Sequence, residues 1–303
     1  MYNDGNGSNC IIETLNNKLI LGCQNTVIPN SVTSIGSVAF SGLTSISIPS
    51  SITSIENSAF SYCSSIINIL VDKNNSYYCD VDGVLYSKDK KTLYRYANGK
   101  DNTDFYLPNT VNVIGISSFR ESNNLTNIEF TNNLRKIGSG AFSDCSGLTS
   151  VSLPSSLISI VYSTFQNCHG LTSITVASGN KIYNSGNGSN CIIKTLNNEL
   201  VAGYKNTVIP SGVTSIGSSA FSNCSGLTSI IFPSSVKFIN DYAFSRCSGL
   251  TSISLPSSVI YIHNYAFINC TNLANINVKK AEGSIPNSPW NAVNPISTVI
   301  WNP

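Results

Sequence analysis

One phrase recurs along this chain almost letter for letter, and no other feature constrains its fold so strongly. In its clearest copy the phrase runs Ile209-Pro210-Ser211-Gly212-Val213-Thr214-Ser215-Ile216-Gly217, then Ala220-Phe221, then Cys224-Ser225-Gly226-Leu227-Thr228-Ser229-Ile230. Eight copies are anchored at Ile28, Ile48, Leu107, Phe130, Leu153, Ile209, Phe232 and Leu255, and contiguous copies step by 23 residues. Only the first step, from Ile28 to Ile48, is shorter, because Ser41-Gly42-Leu43 lacks three residues. A short unit repeated at fixed period cannot bury its own apolar face; it must stack on its neighbours, which is the definition of a solenoid.

Each copy carries one strand pattern, such as Leu148-Thr149-Ser150-Val151-Ser152-Leu153, in which apolar and small polar residues alternate. A proline follows in every copy but the fourth, where Thr131 follows Phe130; proline donates nothing to a sheet ladder and belongs at its margin. A second apolar set, for example Val213, Ile216, Ala220 and Phe221, then returns the chain to the core. With strands roughly 4.8 Å apart, eight coils predict an array on the order of 40 Å long. The residue after the inner Ile is Gly36, Gly115, Gly138 or Gly217 in four copies, but Glu56, Val161, Asn240 or His263 in the rest. A β-branched Val there argues for a crowded turn and against a fixed left-handed one.

Three insertions interrupt the copies, at 1–26, 72–106 and 177–208, and divide them into 27–71, 107–176 and 209–278. The first and third are duplicates, since Gly5 to Ile12 matches Gly186 to Ile193. Each reads as a hairpin, turning at Asn16-Asn17 and Asn197-Asn198. The middle one pairs Val84-Leu85-Tyr86 with Leu93 to Tyr96 across Lys88 to Lys91. Because 1–26 looks like an interior insertion, it is expected to belong to a truncated upstream repeat. Residues 279–303, with Pro286, Pro289, Trp290, Pro295 and Trp301, read as a cap over the last coil.

Written out, Val213-Thr214-Ser215-Ile216-Gly217-x-x-Ala220-Phe221-x-x-Cys224-x-x-Leu227-Thr228-Ser229-Ile230 resembles the BspA-like branch of leucine-rich repeats. The likeness covers most of 27–278, and Asp82-Gly83-Val84-Leu85-Tyr86 is similar to an element that interrupts arrays of that family. It implies an α/β-type solenoid, mostly β: a right-handed superhelix with a parallel sheet. It also implies a protein of the cell surface or extracellular space, of the kind found in host-associated bacteria and some protists, that adheres to a protein or glycan on a host or microbial surface. The chain departs from the pattern in its third copy, where Ser118 and Ser122 replace Ala and Cys, and in its first, which lacks the Cys segment. The start at Met1-Tyr2-Asn3-Asp4-Gly5 has neither a charged nor an apolar leader region, so export rests on the resemblance.

A formal charge of +2 with no Lys/Arg block argues against nucleic acid or anionic membranes as partners. No apolar run approaches the roughly 18 residues of a membrane span, so no membrane insertion is expected; a monomer is. Six of the ten cysteines, Cys63, Cys145, Cys168, Cys224, Cys247 and Cys270, occupy one slot three residues after the repeat Phe position, which reads as a small buried side chain. Coil spacing could bring neighbours within the ~4.4–6.8 Å Cα range of a disulfide, but parallel inward side chains suit one poorly. The other four, Cys10, Cys23, Cys79 and Cys191, lie in the insertions. Neither they nor the two histidines, His169 and His263, form a zinc or catalytic constellation. No enzyme, metal or cofactor is expected, and Asp80 and Asp82 read as turn formers.

The sheet face should show Ser45/Ser47, Asn68/Leu70, Asn127/Glu129, Ser150/Ser152, Ser173/Thr175, Ser229/Ile231, Ser252/Ser254 and Asn275/Asn277, a surface without aromatic or Arg anchors. Better anchors lie where copies depart from consensus. One group is Arg120, Glu121, Glu129, Arg135 and Lys136 beside the tyrosines of the middle hairpin, chiefly Tyr86, Tyr94 and Tyr96. A second is Lys237, Asp241, Tyr242, Arg246, Tyr261 and Tyr265. Two roles compete: a binding module using these residues, and a passive stalk that spaces other domains.

Overall fold

The computed structural model describes residues 2–3, 7–161, 163–286, 288, 290 and 297–303. They form two compact units, Met1–Leu148 with Ser159–Thr164, and Thr149–Ile158 with Phe165–Pro303. Each is a β-solenoid with parallel sheets, and no helix occurs among the described residues. Gly5, Pro289 and Pro295 lie outside them.

Each coil has two strand legs. The first is the alternating segment, as in Ser45–Ile48 with its exposed-buried-exposed-buried pattern, paired in parallel with Asn68–Val71. In the second unit, Ser150–Leu153 pairs with Ser173–Val176 and Ser252–Leu255 with Asn275–Val278, each at the 23-residue step. A turn follows, in which the proline carbonyl accepts from the N–H three residues on, as Pro154 does from Leu157 at 3.3 Å. The second leg is only two residues long, for example Ser34–Ile35, Val113–Ile114 and Ser215–Ile216. Two further turns, such as Cys145 N–H to Phe142 O at 3.4 Å and Leu148 N–H to Cys145 O at 3.3 Å, lead to the next coil.

The glycine slot after the inner Ile is crowded and not left-handed. None of Gly36, Gly115, Gly138 and Gly217 has positive φ, while a Cβ at Gly138 would lie 2.8 Å from the Gly115 backbone. The left-handed positions fall elsewhere. One is three residues after the inner Ile, at Val38, Ser117, Gly140, Ser163, Ser219 and Tyr242; the other precedes the Cys slot, at Glu121, Asp144, Asn167, Asn223, Arg246 and Asn269. Ser, Gly, Asn and Asp tolerate this conformation; Val38 and Tyr242 occupy it against their steric preference.

Between the legs runs the core, and its spine is the repeat phenylalanine. Phe119 stacks on Phe142 at 4.9 Å between centroids, Phe221 on Phe244 at 5.0 Å, and Phe244 on Phe267 at 5.6 Å. Full burial stabilises each such side chain by roughly 1.5–3 kcal/mol. The slot cysteines line the same core as thiols. Cys145 and Cys270 donate to Phe119 O and Phe244 O at 3.0 and 2.9 Å, and burial pushes Cys224 up to about 12.

The insertions do not simply interrupt the coils: each supplies a turn of its own. Hairpins form where the sequence places them, pairing Cys10–Glu13 with Lys18–Gly22, Val84–Ser87 with Thr92–Arg95, and Cys191–Lys194 with Glu199–Gly203. In each, the last strand then pairs in parallel with the second leg of the following coil, so Leu19 sits beside Ile35, Leu93 beside Ile114 and Leu200 beside Ile216. Counting these, eleven strands stand in the second-leg ladders among the described residues. An unforeseen third strand precedes each hairpin, at Tyr2–Asn3, Tyr78–Val81 and Tyr183–Asn184.

Two buried asparagines anchor these insertions. Asn180 donates through Nδ2 to Pro154 O and Leu157 O at 3.0 and 2.9 Å, and its Oδ1 accepts from Ile182 and Tyr183 N–H, both at 2.8 Å. Asn75 repeats the arrangement on Pro49, Ile52, Tyr77 and Tyr78. Every polar atom of these side chains is engaged, which is what makes burying them tolerable.

The expected strand before Phe232 is reduced to the single bridge of Ile231 with Ser254, and those before Ile28 and Ile209 do not form. Thr26 Oγ1 donates to Asn9 O at 2.8 Å and Val27 N–H to Ser8 O at 3.1 Å, and Thr207 and Val208 do likewise to Asn190 and Ser189. The preceding hairpin thus consumes the backbone donors that a ladder would use. After Val278, in contrast, the repeat step persists: Thr298–Trp301 pairs in parallel with Asn275–Val278. Trp290 is fully buried between Phe267 and Trp301, 6.5 and 6.3 Å away.

Candidate functional site

A binding residue must meet solvent, and that requirement sorts the candidates. On the first-leg face the alternation puts Ser45, Ser47, Ser150, Ser152, Ser173 and Thr175 outward, small and polar. The exceptions are single apolar residues, Leu70 at 47% and Ile231 at 86% exposed, together with Tyr106 at 68%. Beside Leu70, a cavity of about 690 Å³ opens between Gln24–Ile28 and the Ser45–Ile48 strand, where the strand before Ile28 is missing.

The first group does not assemble. Tyr86 and Tyr96 are each only 3% exposed, Tyr86 in a strand whose first three residues are all buried and Tyr96 just past the end of Thr92–Arg95. Tyr96 fills the phenylalanine slot, stacked at 5.1 Å on Phe119, and burial drives the Tyr86 hydroxyl well above its ordinary range. Both are core residues, which corrects their reading as ligand contacts. Tyr94 is half-buried against Tyr78 at 5.5 Å. Arg120 is engaged by Asp144 at 3.1 Å and Glu121 at 3.7 Å. Glu129 is exposed on the first-leg face, beside Tyr106. Lys136 is exposed on the second leg next to Arg135, so the charges divide between two faces of the coil. Arg95, at the end of the hairpin's last strand, is buried. Its Nη1 donates to Ser117 O at 2.9 Å, and desolvation lowers its pKa to about 10.

The second group does assemble, on the second leg of the second unit. The 23-residue step places Phe238 beside Tyr261 in the parallel ladder, and both are exposed, at 40% and 39%. Ordinary copies carry Ser at this slot, as Ser215 does. Tyr261 meets His263 edge-on at 6.3 Å, and His263 Nδ1 lies 2.8 Å from Asp241 Oδ1. Next to Asp241, Tyr242 stacks on Tyr265 at 5.4 Å and 7° between planes, each about two-fifths exposed. Asn240 donates to Ser215 Oγ at 3.2 Å and to Glu199 Oε1 at 3.4 Å. Lys237 and Arg246 are exposed, Arg246 on the turn whose N–H donates to Ile268 O.

The sequence reading missed Phe238, Asn240 and His263 as members of this cluster. Aligning each slot by one repeat step would have shown Phe238 over Tyr261 and Asn240 over His263. Among the described residues, no group of three or more His, Cys, Asp or Glu is placed to hold a metal. Nor is any helix among the described residues long and apolar enough to cross a membrane.

Comparison with known proteins accords with this geometry. Six copies of the BspA type leucine rich repeat region match at residues 12–80, 92–202 and 201–302. A leucine-rich repeat protein from Eubacterium ventriosum is 28% identical with a TM-score of 0.56, over 80% of this chain and 63% of that one. A leucine rich cell surface protein from Faecalibacterium prausnitzii is 30% identical with a TM-score of 0.40, over 89% of this chain and 55% of that one. The chain therefore spans less than two thirds of the length of either relative. No match is found among curated proteins.

Proposed function

Because the chain belongs to the BspA-type leucine-rich-repeat family, whose repeats serve generally as binding or structural modules, we propose that it is a non-catalytic binding module. It acts at a cell surface or outside the cell, attaching to a host or microbial protein or glycan. The observation that supports this reading is the exposed aromatic group Phe238, Tyr242, Tyr261 and Tyr265 around Asp241 and His263. Tyrosine offers large contact area at small entropic cost, and clustered aromatics are the residue type enriched at recognition hot spots. Two of them pair in the ladder, Phe238 with Tyr261, and two stack in the turns that follow, Tyr242 on Tyr265.

The test is a binding screen of the purified chain against immobilised extracellular-matrix proteins and a glycan array, beside a Phe238→Ser/Tyr261→Ser variant. Saturable binding that the variant loses supports the module. A chain that binds nothing, or a variant that binds undiminished, removes the basis for placing the site here. The uniform first-leg face favours a second reading, a stalk that spaces other domains, and a stalk would bind none of the panel.

A further inference from the structure

We infer that the Tyr242–Tyr265 stack, with Asn240, Asp241 and His263 on its border, is a subsite for one ring of a neutral glycan. This deepens the binding-module reading and rests on it.

The geometry begins with the repeat step. Tyr242 and Tyr265 hold the same slot on successive coils, which is why their rings lie parallel at 5.4 Å, close to the spacing of the strands. One step earlier the slot holds Ser219, whose backbone N–H donates to Asp241 O at 3.0 Å and so fixes the two coils against each other. A ring stacked on Tyr242 from that side would thus lie over Ser219, whose side chain has two heavy atoms against the eight of a tyrosine. Each tyrosine spends one face on the other and is still 40–41% exposed. An aromatic face carries negative charge density, to which the C–H bonds of a pyranose, slightly positive, are complementary.

Sugars also need hydrogen-bonding groups in the plane of the ring, and the border supplies them. Asp241 Oδ1 and His263 Nδ1 face each other at 2.8 Å and are themselves shielded from solvent. The two side chains nevertheless remain 33% and 40% exposed. That remaining exposure is where the hydroxyls of a sugar would meet the carboxylate and the imidazole. Asn240 sits in the slot of His263 one strand earlier, oriented by Ser215 and Glu199. Around them Thr214, Ser218 and Ser219 are small and half-buried. A protein interface of standard size removes roughly 800 Å² per partner from water; a strip one ring wide, bordered by serines, suits a sugar better. The nearest carboxylates, Asp241 and Glu199, disfavour sialylated or sulfated chains by repulsion.

The 303-residue chain should be titrated by calorimetry with neutral oligosaccharides of glucose, galactose, mannose and N-acetylglucosamine, and with sialylated counterparts. Tyr242→Asn is the diagnostic variant, since asparagine accepts the left-handed backbone that Tyr242 occupies at φ 55°; its thermal unfolding confirms the fold. Tyr106→Ser, on the first-leg face of the other unit, controls for loss of a surface aromatic. The expected result is saturable binding of at least one neutral oligosaccharide, weakened tenfold or more in Tyr242→Asn and retained in Tyr106→Ser. Binding only to sialylated chains, or to neutral ones equally in Tyr242→Asn, overturns the inference. Binding to matrix proteins but to no oligosaccharide overturns it and leaves the binding module standing; binding to nothing overturns both.

Discussion

Gly203 ends the last strand of the third hairpin, and its missing side chain makes room for the phenylalanine of the following coil. A Cβ there would fall 2.2 Å from Phe221 Cε1 and 2.3 Å from Cζ, so the ring would have to withdraw by more than about 1 Å to reach an ordinary contact near ~3.5 Å. Phe221 is 1% exposed and stacks on Phe244 at 5.0 Å, which blocks the retreat. Gly203→Ala should therefore cost about 3 kcal/mol, the upper end for overpacking. The duplicate insertion provides an internal comparison. At Gly22 the Cβ would lie 3.0 Å from Phe40 and 2.8 Å from Thr26 Oγ1, a clash that smaller shifts relieve, at about 1 kcal/mol. Urea unfolding followed by circular dichroism measures both, while fluorescence of Trp290 and Trp301 reports the second unit alone. Shrinking the obstacle with Phe221→Leu should recover at least about 1 kcal/mol of the Gly203→Ala loss as coupling. Equal costs at the two glycines, or strict additivity with Phe221→Leu, would refute the reasoning.

Asn180→Ala unpairs two carbonyls and two N–H groups at once, and should cost about 3 kcal/mol; Asn180→Asp should fare no better, since a carboxylate cannot donate to Pro154 and Leu157. A loss below ~1 kcal/mol in denaturant melts would show that the bracket is dispensable. Burial raises the Tyr204 hydroxyl well above its ordinary value, and it has no hydrogen-bond partner among the described residues. The stability linked to that shift is present in full below the unfolded value near ~10 and is lost as pH rises toward the folded one. Tyr204→Phe should thus be neutral or slightly stabilising at pH 7 and flatten the loss of stability above pH ~10; an unchanged alkaline profile would count against it. Thiol titration of the native chain should show Cys23, which is exposed, reacting first. Cys63, Cys145, Cys191, Cys247 and Cys270 are buried and should react only on unfolding; rapid modification of any of them would contradict the packed core.

Reading by period succeeded wherever a residue's environment is set by its own coil. The parallel strand at Ser150–Leu153, the buried Cys slot and the crowded glycine after the inner Ile each follow from copies that repeat the same local geometry. The hairpins were legible from Asn16-Asn17, Asn197-Asn198 and Lys88 to Lys91, where Asn17, Asn198 and Lys90 adopt the left-handed turn conformation. The site was legible only in part. Tyr86 and Tyr96 were chosen by type, and type cannot say which side of a strand meets water. Asp241, Tyr242, Tyr261 and Tyr265 were chosen for the same reason and happen to fall on two neighbouring coils, one repeat step apart.

What the sequence alone determined is the repeat: its 23-residue step fixes which residues stand one strand apart, because a solenoid turns sequence distance into spatial adjacency. What the tertiary structure decided is everything that depends on which neighbour a group meets. It turned the last strand of each insertion into a turn of the ladder, gave Thr26 and Thr207 to the hairpins so that two expected strands did not form, and paired His263 with Asp241. Those outcomes rest on competition among backbone and side-chain donors for the same acceptors, and that competition is settled only when separate segments are brought within about 3 Å.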